Sequence, residues 1–186
     1  MTTIQPCKTL IASAALCAAL SASSAFAATM TRAEYGTTKD RVSADYKADK
    51  SACATMSGNQ KDVCQEQAKG KEKVARAELE YSYTGKLSDS NKVAVVKADA
   101  AYAVAKEMCD DKGSNAKDVC VAEAKAAHTK ALADAKMAKK VGDAKMDAAD
   151  DKRDADYKVA TEKCDSLAGD AKAACVSAAK QRFNKS

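Results

Sequence analysis

Most of the chemistry this 186-residue sequence could perform resides in its eight cysteines. Six of them fall in pairs, Cys53 with Cys64, Cys109 with Cys120 and Cys164 with Cys175, with ten residues between the members of each. Such a pair either ligates a soft metal as thiolates or oxidises to a disulfide. No His, Asp or Glu cluster completes a zinc set beside any pair, so disulfides are the expected chemistry and no metal site is assigned. The one histidine, His128, stands in AKAAHTKALADAK and reads as a solvated helix residue. No Ser/His/Asp set, glycine-rich phosphate loop or pair of carboxylates in an apolar setting can be assembled. The chain is therefore expected to be no enzyme, with no catalytic residue and no cofactor.

The elements that must bring each pair together follow from composition and repetition. Alanine supplies 43 residues and proline one, and Ala, Lys, Asp and Glu without Pro is a helical composition. Apolar β-branched runs of strand length are absent, which excludes all-β and common α/β folds and leaves an all-α fold. The Cys pairs recur at offsets of 56 and 55, and Tyr46, Tyr102 and Tyr157 each precede a first Cys by seven residues. The segments SGNQKDVC (57–64), GSNAKDVC (113–120) and AGDAKAAC (168–175) align without gaps, so the chain carries three copies of one unit.

Each such segment reads as the tip of a helical hairpin. Gly58 can take the left-handed conformation that ends a helix, Asn59 can cap the next one, and Asp62 suits its dipole. Gly113, Asn115 and Asp118 repeat this, whereas the third tip has Gly169 and Asp170 but Ala173 at the acidic position, predicting the weakest cap. First and second cysteines then lie about one turn from the ends of facing helices. The spacing predicts Cys53–Cys64, Cys109–Cys120 and Cys164–Cys175 disulfides, with Ala side chains permitting the close approach they need.

Beyond residue 27, Val, Leu, Ile and Phe number only 17 of 159 residues, too few for a thick core. One narrow seam per helix is expected, with the three tyrosines packing beside the disulfides. The first helix is expected over about 30–57 and the last over about 171–183. Between the tips run two Ala-rich arms of about 54 residues, broken at Tyr83–Ser90 around Gly85 and at Gly142. Folding at the Gly113 tip brings these breaks level, so the arms either stay extended as a rod or both bend into a hinged bundle.

Residues 1–27 carry Lys8 and no acid, an apolar stretch from Leu10 to Leu20, and Ala25-Phe26-Ala27, the pattern of a cleaved signal peptide. Its removal leaves 30 basic and 26 acidic groups, a net charge of +4, too mild and too interleaved for a nucleic-acid footprint. No integral membrane span is expected in the remaining chain. An even Cys count after export suits a disulfide framework in an oxidising space, here the periplasm. Three hairpin units are expected at 28–85, 86–142 and 143–186.

Lys125, Lys130, Lys136, Lys139 and Lys140, against the single acid Asp134, form a basic stretch that could contact an anionic surface. Asp143, Asp147, Asp150, Asp151, Asp154 and Asp156 make the next stretch acidic, an arrangement suited to antiparallel pairing or homo-oligomerisation. The SAFA-ending leader, the Y-x6-C-x10-C repeats and the arms KGKEKVARAELE and DDKRDADYKVA resemble a group of small secreted, Ala/Lys/Asp-rich helical Cys-repeat proteins of Gram-negative bacteria. Some of these are labelled as TolA-like cell-envelope proteins. The resemblance implies an envelope location and assigns no functional residue. The reading is a periplasmic, non-catalytic structural or interaction protein whose partner is an envelope protein or an anionic envelope polymer. Two other readings are a stress-type periplasmic chaperone or adaptor, and binding of anionic polymer or lipid through the basic stretch.

Overall fold

A computed structural model describes residues 30–185, so the signal peptide expected at 1–27 lies outside the described residues. The fold is all-α, with five helices and, among the described residues, no strand. They are α1 (Arg32–Cys53), α2 (Gly58–Thr84), α3 (Leu87–Cys109), α4 (Ser114–Cys164) and α5 (Gly169–Phe183). Disulfides join Cys53 to Cys64, Cys109 to Cys120 and Cys164 to Cys175, with Cα atoms 5.6, 5.7 and 5.7 Å apart. Ordinary helix axes pack roughly 8–10 Å apart.

The tips differ from the expected caps. Gly58 and Gly169 are left-handed (both φ 55°), but in the second tip Ser114 (φ 45°), and not Gly113, takes that conformation. Ser114 stands at the aligned position, six residues before the second Cys, so the backbone requirement follows the repeat and not the residue type. These residues open the following helix; α1 itself has already ended at Cys53. Nor does Asn59 cap: α2, α4 and α5 have no side-chain cap hydrogen bond, and Asn59 Nδ2 is buried without a partner. The strongest cap was not anticipated. Thr31 and Glu34 form a reciprocal capping box at the start of α1.

The two arm breaks also behave differently, so the arms are neither both extended nor both bent. Gly85 (φ 63°) ends α2 with its N–H on Tyr81 O, Thr84 Oγ1 donates to Asp89 Oδ2 at 2.5 Å, and α3 returns antiparallel along α2. Gly142 stays inside α4, a continuous 51-residue helix about 77 Å long at 1.5 Å per residue. Around Gly85 stand Thr84, Ser88, Asp89 and Ser90, which favour turns and caps. Around Gly142 stand Lys140, Val141, Ala144 and Lys145, and the one turn-favouring neighbour, Asp143, is tied into the helix by an ion pair with Lys139 that spans the glycine at 2.5 Å. One glycine costs such a helix only about 1 kcal/mol.

The core is small and made of small residues. Its buried members are Val42, Leu79, five alanines and the first Cys of each pair, and the three cysteines are the largest fully buried side chains. Among the described residues no polar or charged residue is buried as a whole, although the Asn59 Nδ2 and Asn91 Oδ1 atoms are. Each helix packs only on its neighbours in the chain: α1 on α2, α2 on α3, α3 on α4, α4 on α5. The arrangement is thus an open series of antiparallel helices. Gly70 lets α2 approach α3 closely, since a Cβ there would lie 3.0 Å from Ala100 Cβ, and Gly142 lies against Leu87 where α3 begins.

Candidate functional site

An open series leaves grooves where a closed bundle would bury a core. The groove over α2, flanked by α1 and α3, has a volume of about 480 Å³. Ala77, Leu79 and Val96 line it with charged groups of both signs, among them Lys39, Arg76 and Glu80. Tyr35 also lines it, its hydroxyl donating to Glu80 Oε2 at 2.9 Å and its ring meeting Tyr83 at 4.8 Å. That bond to a carboxylate pushes the Tyr35 phenol above its ordinary value. Arg76 is held by Glu72 (2.8 Å) and by Ser43 Oγ (3.0 Å).

A second groove of about 400 Å³ joins the first two clasps at one end of the series, lined by Met56, Val63, Cys64 and Met108. Met56 and Met108 are exposed there, as is Leu167 at the third tip. The tips therefore present apolar side chains as well as the partly exposed second cysteines.

The repeat tyrosines all lie half-buried in the seams. Tyr46 lines a cleft with Val42 and Ala68, Tyr157 meets Phe183 edge-on at 6.2 Å, and Tyr102 stacks on His128 at 4.7 Å. His128 is thus not a solvated helix residue. Its Nε2 lies 2.7 Å from Asp99 Oδ1 and its side chain is only 20% exposed. The repeat arithmetic contained the signal, because folding at the second tip brings residue 128 level with residue 100, between Asp99 and Tyr102.

Lys125, Lys130, Lys136, Lys139 and Lys140 are all exposed on α4. At about 100° per residue they spread over roughly half the circumference of the helix, and so do not form one narrow face. Among the described residues only Lys139 of the five is ion-paired, with Asp143. In the acidic stretch, Asp150 pairs with Arg153 and Asp154 with Lys185. Lys185 holds the Asp154 carboxyl below its ordinary value, Thr31 does the same to Glu34, and the carboxylates of Glu66 and Asp110 raise the Lys69 and Lys117 ammonium groups. Every one of these shifts holds a group in the charge state it already has at neutral pH. Among the described residues no three His, Cys, Asp or Glu side chains converge as a metal set. No helix among them is long and apolar enough to cross a membrane.

No protein-family model matches the chain, and neither a curated protein nor a solved structure matches it.

Proposed function

We propose that the protein is a non-catalytic structural and interaction protein of the cell envelope, acting in the periplasm and presenting helix faces and grooves to other envelope components. One observation carries the reading: the three disulfides anchor a core otherwise made mostly of alanine, and the largest fully buried side chains are Cys53, Cys109 and Cys164. A core anchored by disulfides needs an oxidising compartment, and the leader-like segment at 1–27 supplies a route to it. The open helix series, with mixed-charge and apolar grooves, suits recognition of an amphipathic partner surface. Osmotic-shock fractionation of expressing cells tests the location. Release with periplasmic markers is expected, and retention with cytoplasmic markers would overturn the reading.

The exposure of all five lysines of the basic stretch favours a second reading, contact with an anionic wall polymer or lipid surface. Co-sedimentation with anionic vesicles or wall fragments should then weaken as salt rises. Absent or salt-insensitive binding would remove it.

A further inference from the structure

The side of α4 facing away from α3 and α5 has no partner. Both neighbours use one side of this helix: α3 packs around Ala135 and Gly142, and α5 around Tyr157 and Cys164. Turning about 100° per residue, the helix places Met137, Val141 and Ala148 on the remaining side, with Val159 at its border, where it also lines the groove shared with α5. Met137, Val141 and Val159 are 61, 48 and 55% exposed. Val119 extends the same row toward the start of the helix, also exposed.

We infer that this face of α4 is a self-docking surface that receives the same face of a second copy in antiparallel orientation. The occupant is set by charge. At the same roughly 100° per residue, Glu123, Lys130, Asp134, Lys145, Asp151 and Lys152 flank this row, all exposed. A parallel copy would set each of these groups against itself, whereas an antiparallel copy sets each near an opposite charge. With Met137 beside Val141 of the second copy and Val119 beside Val159, Asp134 comes beside Lys145, Lys130 near Asp151 and Glu123 near Lys152. Alanines along the row permit a close approach. The contact is isologous, so the two-fold axis forms each pairing twice and closes the assembly at two copies. The acidic segment between the levels of Leu87 and Tyr157, which neither α3 nor α5 covers, thereby gains a neighbour. This inference goes beyond the envelope reading, since self-docking requires neither export nor another component, and its failure leaves that reading standing.

Sedimentation equilibrium on the oxidised full chain over a dilution series tests it, and a monomer–dimer equilibrium is expected. Val141→Asp, at an exposed site that should leave the helical circular dichroism unchanged, should weaken the dimer at least about tenfold by setting an unpaired carboxylate in its centre. Asp134→Lys should weaken it by opposing Lys145 of the second copy, and adding Lys145→Asp should restore it. Within one chain these two residues lie about 16 Å apart along the helix, so the rescue reports the contact between copies. A monomer at every concentration, a dimer indifferent to Val141→Asp, or a double variant as weak as Asp134→Lys would overturn the inference.

Discussion

The third clasp should be the main restraint that keeps α5 in place, beyond the Tyr157–Phe183 contact and the Asp154–Lys185 pair. This helix has 15 residues and packs on α4 alone, and isolated helices of about 12–15 residues are marginal in water. Ala179 is its one buried apolar side chain, with Val176 and Phe183 half-covered. Replacing Cys164 and Cys175 together by Ala removes a cross-link that closes a separation of 11 residues, worth about 3 kcal/mol by chain entropy. That corresponds to roughly a hundredfold fall in the ratio of docked to undocked α5. Amide hydrogen exchange read by mass spectrometry, peptide by peptide, separates this from general unfolding. The variant should lose protection over α5 and keep it over α1–α3. Removing Cys53 and Cys64 should leave more protection behind, because α1 and α2 remain joined by Tyr35–Glu80, Lys71–Asp49 and Arg76–Ser43. If α5 amides stay as protected in the variant as in the parent, packing and not the clasp holds the helix, and the reasoning fails.

Three further outcomes follow from local geometry. Gly70→Ala should destabilise by about 1–2 kcal/mol, since its methyl meets Ala100 on a backbone that cannot swing away, whereas Gly142→Ala meets only the end of the Leu87 side chain and should be neutral or stabilising by up to about 1 kcal/mol; urea melts that reverse this order would contradict the packing. Ser114→Gly should stabilise by about 0.5–1 kcal/mol by relieving a left-handed serine, with Gly58→Ser the opposite, both read as shifts in the denaturation midpoint. Glu34, held below its ordinary value of 4.5 by Thr31, contributes stability that is complete above about pH 4.5 and is lost as pH falls through the lowered folded value; hydrogen exchange in the first turn of α1 should rise there, and Glu34→Gln should abolish the pH dependence.

The sequence exposed the clasps because two constraints coincide in it: cysteines at a fixed spacing, and a gap-free tip that reverses the helix between them. The break at Gly85 was legible too, since Thr84, Ser88, Asp89 and Ser90 surround it with turn-forming side chains, but the sequence left open whether the chain reverses there. Gly142 carried no such company. A glycine alone lowers helix propensity without supplying an alternative for the freed backbone groups, and its place is explained only by the Leu87 side chain packed against it. Cap chemistry was misassigned where residue type was followed in place of aligned position, as with Gly113 and Ser114. His128 looked solvated because its partners, Asp99 and Tyr102, lie on another helix. The lysines are exposed as a stretch of sequence suggests, but helical rotation divides them among several directions.

The account rests on three disulfides in an exported chain, and one measurement addresses both: the intact mass of the protein from the periplasmic fraction, alkylated without prior reduction, followed by non-reducing peptide mapping. The predicted result is the mass of residues 28–186 less six hydrogens, no alkyl label, and the linked peptides Cys53–Cys64, Cys109–Cys120 and Cys164–Cys175. A labelled chain that retains residues 1–27 would contradict it, leaving the helices without their clasps and the protein without its compartment.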